Sequence, residues 1–485
     1  MCITGWKFDN SYSRLPGMMY TRLLPAKVRS PGLVILNRAL VAELGLRVLD
    51  ANDEECARFF SGNRLPEGSE PLAQAYAGHQ FGHFSILGDG RAIVLGEHIT
   101  PAGQRVDIQF KGSGRTPYSR SGDGKAALGP MLREYILSEA MHGLGIPTTR
   151  SLAVVTTGEP LLRETVQPGA ILTRVAASHL RVGTFQYLAT RRDIGALRTL
   201  LHYTIHRHYP DLTAEERPAL ALLRVVMERQ IDLVVDWMRV GFIHGVMNTD
   251  NVTLSGESID YGPCAFMDAY DQATVFSSID HDGRYAFGNQ PPVMRWNLAR
   301  FAETLLPLLH DDQTSAMTLA EEVVQEFSDL FQQRWHAMMC GKLGLVGEDA
   351  EDESLVSDLL EWMQRHGADY TRTFRTLSSD SLPMGELFQR ETFKNWHERW
   401  QRRLERGPAS QETSRELMRT RNPAVIPRNH KVEETLSAAS QEGDMLPVKK
   451  LLEALSNPYD DRPELAPYQM PPEASERVYQ TFCGT

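Results

Sequence analysis

The run Arg105 to Lys111 alternates Val106, Ile108 and Phe110 with Asp107, Gln109 and Lys111. That period of two predicts a strand whose terminal ammonium projects from the polar face. Glu134 follows 23 residues later in a helix-patterned stretch, and a strand lysine held by a helix glutamate is a device for fixing nucleotide phosphates. Ahead of both stands Gly88-Asp89-Gly90-Arg91, where glycine lets a backbone approach phosphate oxygens and arginine adds a fixed cation. Beyond them, Phe242-Ile-His244-Gly-Val-Met-Asn248-Thr-Asp250-Asn251 sets three polar side chains where an apolar helix ends, and Asp260-Tyr-Gly262 begins nine residues after Asn251. Asn and Asp oxygens on two adjacent turns beside phosphates suit Mg2+ or Mn2+. Singly, each feature has an ordinary reading: a hairpin turn at Gly88 to Arg91, an exposed lysine, a helix cap at Asn251, a turn started by Asp260. Their order along one chain points to a nucleotide site.

The familiar phosphate loops fail letter by letter. Gly124-Lys125 is followed by Ala126, with Ser119 where a P-loop needs its first glycine, and Gly88-Asp-Gly90 lacks a third glycine at Ile93. His-Glu-x-x-His and Gly-x-Ser-x-Gly are absent as well.

The elements that must position these residues follow from pattern. Residues 1–70 read as an N-terminal extension, with a helix from Leu33 to Leu46. Phe84 to Glu97 reads as a hairpin around Asp89-Gly90, and Gly112 to Gly124 as loop. Pro130 opens a helix through His142, and β-rich stretches cover 151–155 and 170–175. Leu223, Val226, Met227, Ile231, Val234, Val235 and Met238 make one buried helical stripe that stops at Gly241. Beyond Ala299 the pattern stays helical, including one run from Leu319 to Met339, and the proline-rich residues 451–485 read as an extended tail. The expectation is an α+β, two-lobed layout: a β-rich lobe at 71–165, a mostly α lobe at 166–450, and a cleft between them.

Composition bounds the function. The 485 residues carry 51 basic and 62 acidic side chains, a formal charge of -11, which argues against nucleic acid or an anionic membrane as bulk partner. Apolar residues are 42%, and no uncharged apolar run reaches the ~20 residues of a membrane span. The five cysteines are scattered without a Cys-x-x-Cys, and the N-terminus lacks a signal core, so a cytoplasmic enzyme is expected.

The segments NSYSRLP, YAGHQFGHF, LGDGRAIVLGE, DIQFKGSGRTPYSRSGDGKAAL, LREYILSEAMHGLGIPTTRSLAVV, FIHGVMNTDN and DYGPCAFMDAYD resemble the selenoprotein O family over nearly the whole chain. The resemblance implies a protein-kinase-like two-lobed fold and a protein nucleotidyltransferase, which moves AMP from ATP, or UMP from UTP, onto Ser, Thr or Tyr hydroxyls of proteins. It implies nucleotide contacts at Gly88, Gly90, Arg91, Lys111, Asp123, Gly124, Arg174 and Arg181, a proton acceptor at Asp250, and metal ligands at Asn251 and Asp260. Glu134 would fix Lys111. The residues agree with those roles, since arginine forks match phosphate oxygens. In the kinase loop an Asp stands five residues before the Asn; here that position is Val246, which cannot take a proton. Cys483 falls where some family members carry selenocysteine, and Cys264 beside the Asp260 turn is a candidate partner for it. Two other readings stay open: a pseudokinase scaffold that binds nucleotide without transfer, and a small-molecule phosphotransferase suggested by His244-Gly245.

Overall fold

The structure is a computed structural model and describes residues 3–48, 53–379 and 385–482. Among the described residues, the N-terminal part is built on a nine-stranded antiparallel sheet. Its main path runs Tyr20–Arg22, Leu72–Gln80, Ala92–Ile99, Arg105–Lys111, Val166–Ala176, Arg150–Leu162, Gly32–Leu36. The expected strand ending at Lys111 is present, flanked by Ala92 on one side and Leu172 on the other. Lys111 and Gln109 share a face by the period of two, and Gln109 lies opposite Arg174. The sheet register therefore gathers Lys111, Gln109 and Arg174 on one surface.

Across that surface runs the helix Leu128–Gly143, slightly longer than the pattern suggested. Leu132, Ile136 and Ala140 recur every four residues and are fully buried, so one stripe seats the helix while Glu134 faces Lys111. Two late helices, Asn429–Ser437 and Leu446–Leu455, join the same core through Val432, Val448 and Leu451.

The C-terminal part is helical. Pro218–Val240 is the long helix read from its stripe, and it ends at Gly241 in the left-handed region, φ 75°, where glycine adopts the turn without a Cβ clash. Directly after it, Phe242–Ile243 pairs with Ala265–Phe266, with Phe242 opposite Phe266. All four residues of this short ribbon are fully buried. Burying each phenylalanine contributes roughly 1.5–3 kcal/mol, enough to anchor so few backbone bonds. Residues 244–264 form the excursion that the ribbon closes, and it carries Asn248, Asp250, Asn251 and Asp260.

Several expected elements differ. His83–Gly88 and Ala92–Ile99 do not pair with each other across Asp89-Gly90: the first pairs with Leu72–Gln80 and the second with Arg105–Lys111. The hairpin turn is instead Phe81-Gly82. Each strand pairs with its neighbour on the other side in sequence, and the Asp-Gly dipeptide alone does not distinguish a hairpin turn from a link between two hairpins. The Leu33 to Leu46 stretch begins as the strand Gly32–Leu36, because its Leu-Val-Ile-Leu run meets the open edge of Arg150–Leu162. Only Arg38–Glu43 is helical, capped by Asn37, whose side chain accepts from Leu40 N. The run Leu319 to Met339 breaks at Glu326 into Gln313–Gln325 and Phe327–Lys342. The tail is not extended from residue 451, since the helix Leu446–Leu455 buries Leu451, Ala454 and Leu455, and a short helix covers Ala466–Gln469. Farther along, Thr481 is pinned beside the excursion: its N–H donates to Phe276 O at 2.7 Å and its hydroxyl to Pro263 O. Cys483, the expected redox thiol, lies outside the described residues; Cys264 is fully buried. No described helix is long and apolar enough to cross a membrane.

Candidate active site

Between the sheet and the excursion lies a cleft of about 670 Å³. The residues expected to bind nucleotide or metal or to accept the proton all line it: Gly88, Gly90, Arg91, Lys111, Asp123 and Gly124 from the sheet and its loops, Glu134 from the helix, Arg174 and Arg181, and Asp250, Asn251 and Asp260 from the excursion; His244 and Cys264 do not.

Its centre is a charge cluster. Lys111 Nζ donates to Glu134 Oε2 at 2.6 Å and to Asp260 Oδ1 at 2.7 Å. Arg174 donates through Nε to Glu134 Oε1 at 2.8 Å, through another nitrogen to Asp260 Oδ1 at 2.6 Å, and to Gln109 Oε1 at 3.3 Å. Arg181 reaches Asp260 Oδ2 at 3.3 Å and the Asp250 carbonyl at 2.8 Å, while its guanidinium rests on the Tyr76 ring, 4.5 Å from the centroid. Burial pushes both carboxyls up, but the cations outweigh it. Arg174 and Lys111 hold Glu134 below the usual carboxylate range, and Lys111, Arg174 and Arg181 hold Asp260 well below it. Asp260 sits at φ 63°, a left-handed conformation that an Asp adopts at a cost. Its three cationic contacts and the hydrogen bond between His244 Nε2 and Ile259 O, 2.9 Å, hold that geometry.

Asp250 has a different environment. It stands in the turn Thr249–Asn251, and its Oδ1 is buried without a hydrogen-bond partner. Burial raises its carboxyl to about 6 against the pull of Arg181. Two backbones crowd this corner: a Cβ on Gly78 would collide with the Asp250 carboxylate, and one on Gly183 with the Ala77 carbonyl. Neighbouring Asn251 donates its amide N–H to Val246 O at 2.9 Å, leaving its side-chain oxygen as an acceptor or ligand.

The glycine turn is braced from two sides. Asp89 N donates to Gln74 O at 2.9 Å, and Gln74 N returns a bond to Asp89 Oδ2 at 2.9 Å. Thr116 Oγ1 donates to Asp89 O at 2.7 Å and Gly112 N to Arg91 O at 2.7 Å, so the glycine-rich loop folds over the turn. Asp123 and Gly124 belong to that loop. Asp123 takes a two-pronged contact from Arg163, at 2.9 and 3.1 Å, and accepts from Lys125 N. Gly124, at φ 71°, packs directly on Gly114, where a side chain has no room.

Asp89, Tyr76, Gly78 and Gly183 are site residues that the sequence reading passed over. Asp89 lay inside a quoted motif, but its burial and its carboxyl raised to about 6 depend on tertiary packing. Gly78 lies within YAGHQFGHF, a block whose two glycines were the available signal.

Comparison with known proteins supplies the class. The protein nucleotidyltransferase YdiU of Syntrophotalea carbinolica is 61% identical over 481 residues, 99% of this chain and 98% of that protein. Those of Nitrosococcus oceani and Bacillus cytotoxicus are 60% and 58% identical, each covering 99% of this chain and 98% of the relative. The enzyme is a nucleotidyltransferase. The family model described as protein adenylyltransferase SelO matches residues 3–456, and the chain belongs to that family.

Proposed function

We propose that the enzyme transfers AMP from ATP, or UMP from UTP, to Ser, Thr or Tyr hydroxyls of proteins, releasing pyrophosphate, and does so on a protein-kinase-like arrangement of lobes. The observation that carries this reading is Asp250: a buried carboxylate with an unpartnered oxygen, next to Asn251 and Asp260, in a loop whose kinase acid position is occupied by Val246. A carboxylate at that corner can accept the proton of an incoming hydroxyl as the oxygen attacks the α-phosphorus and the bond to the bridging oxygen of pyrophosphate breaks. The glycine turn and Arg91, with Lys111, Arg174 and Arg181, supply the cationic and backbone groups that suit the outer phosphates. Glu134 holds the Lys111 ammonium in place at the cleft.

A divalent ion fits the residues present. Asn251 offers a side-chain oxygen and Asp260 a carboxylate, hard donors suited to Mg2+ or Mn2+ when phosphate oxygens complete the shell. When bound, such an ion neutralises charge on the phosphates. Lys111 and Arg174, which neutralise Asp260 here, also keep its carboxylate oriented towards the cleft.

The test is incubation with ATP labelled at the α-phosphate, in parallel with γ-labelled ATP and α-labelled UTP, plus Mg2+ or Mn2+ and a cell extract. Label on protein from the α position alone is expected. Label from the γ position would mean a kinase. Nucleotide bound without any label would mean a scaffold.

A further inference from the structure

Next to Asp250 the hairpin tip and a C-terminal helix make a surface that the nucleotide chemistry leaves unused. Phe81, at φ 50°, and Gly82, at φ 87°, form the two-residue turn between Leu72–Gln80 and His83–Gly88. The tip is docked on the catalytic excursion: Phe81 N donates to Asn248 Oδ1 at 3.0 Å, and Tyr285 OH donates to the same oxygen at 2.7 Å. His79 N donates to Thr249 Oγ1 at 2.7 Å. These contacts fix the tip within two residues of Asp250.

Beside the tip sits Arg284. Its guanidinium lies 4.9 Å from the Trp296 ring and 5.7 Å from Tyr285, and it runs under Gly82. Its Nε is buried without an acceptor, and no ion pair among the described residues includes it. Arg300 rests on Trp296 as well, at 5.2 Å, with a buried Nε that lacks an acceptor and one nitrogen 2.7 Å from Glu303. His79 packs edge-on against both Trp296 and Phe84. Phe84 and Ile86, two residues apart on one strand face, are 43% and 53% exposed. The result is an apolar strip leading to two aromatic-mounted guanidiniums beside the tip that docks on Asn248 and Thr249.

We propose that Arg284 and Arg300, mounted on Trp296, form a docking surface for an acidic residue of the protein substrate close to its accepting hydroxyl, with Phe84 and Ile86 taking a neighbouring apolar side chain. Charge complementarity commits the surface to this occupant. Arg284, held by ring faces and without an ion pair among the described residues, is preorganised to receive a carboxylate, while Arg300, already paired with Glu303, adds a second cation beside it. Two guanidiniums beside an apolar strip suit a peptide better than nucleic acid, which needs a basic stripe and meets a chain of net charge -11. The inference deepens the proposed function, since it rests on protein hydroxyls being the acceptors.

The experiment uses the full chain and fluorescent peptides of one scaffold, each with one serine and one leucine, flanked by Glu, Gln or Lys. Anisotropy reads binding, and α-labelled ATP reads transfer. The Glu peptide is expected to bind about tenfold tighter than the Gln peptide, the scale of one charge-assisted hydrogen bond. Arg284→Gln should erase that margin, Arg284→Lys should keep part of it, and Arg284→Glu should shift preference to the Lys peptide. Arg300→Gln gives the second reading if Arg284 variants fold poorly, which a melting curve would reveal. Equal binding of all three peptides, or margins untouched by both arginine variants, overturns the docking surface. So does a single-stranded RNA oligonucleotide that binds tighter than the Glu peptide with the same dependence on Arg284. Loss of transfer with the binding order intact would instead remove the transferase reading and leave the docking surface standing.

Discussion

Lys111 and Asp260 are 149 positions apart in sequence, yet Nζ donates to Oδ1 at 2.7 Å while also holding Glu134. The same Asp260 oxygen accepts from Arg174, which in turn grips Glu134, so two cations and two carboxylates close a ring inside the protein. Buried charges of this kind contribute through mutual neutralisation, and removal of one member leaves its partners uncompensated.

Glu134→Gln preserves shape and deletes one charge of that ring. The variant is expected to lose about 3–5 kcal/mol of unfolding free energy, the range for breaking a buried pair from one side. Urea denaturation at neutral pH checks it. An unchanged midpoint would mean that Lys111 and Arg174 are balanced by Asp260 alone.

Asp89 makes stability depend on pH. Burial raises its folded carboxyl to about 6 from the ordinary 3.8. Between those values the folded chain keeps a proton that the unfolded chain has released, so this residue's contribution falls as pH rises through the window, by up to about 3 kcal/mol. Asp89→Asn keeps an acceptor for Gln74 N and removes the slope. Its melting temperature should match the parent at pH 4 and exceed it at pH 7.5. Parallel curves across that range would contradict a protonated Asp89.

Gly78→Ala sets a methyl group against the Asp250 carboxylate. The carboxylate must turn away, and transfer should drop by roughly 10²–10⁴, the worth of a positioned proton acceptor. Nucleotide affinity, measured by calorimetry, should stay within about twofold, a gap well under 1 kcal/mol. A variant with parental turnover would show that Asp250 works in another orientation.

Asn251→Ala removes one proposed ligand oxygen while Asp260 remains. Titrating Mn2+ at fixed nucleotide should move half-maximal activation upward at least tenfold, the scale of one lost charge-assisted contact. Unshifted activation would transfer the ligand role elsewhere.

The periodic elements were legible in the sequence because their signals are local. Alternation gave the Lys111 strand, a four-residue stripe gave the Glu134 helix, and Gly241 marked the end of the long helix. Residues that meet across the cleft kept an order that pointed to one nucleotide site. Strand partners were not legible: the Gly88 to Arg91 turn looked like a hairpin, although each flanking strand pairs elsewhere. Leu33 to Leu36 illustrates the ambiguity of a short apolar run, which either helix or strand can bury. Gly183 was not legible because it is required by the approach of the Ala77 carbonyl from a distant strand, and Gly78 showed only as a glycine in its block, since the Asp250 side chain that requires it lies far along the chain.

The charge ring also bears on any division of the polypeptide. A cut between Ala176 and Val182 would leave Lys111 and Arg174 against Glu134 alone on one fragment, two cations to one carboxylate, and strand Asp260 on the other without those two partners. Each piece would expose a mismatch that only the other corrects. The two stretches of chain therefore hold one another through charge balance across a junction whose Ser178, His179 and Leu180 are themselves buried, so the sheet and the excursion are bound to fold as one unit.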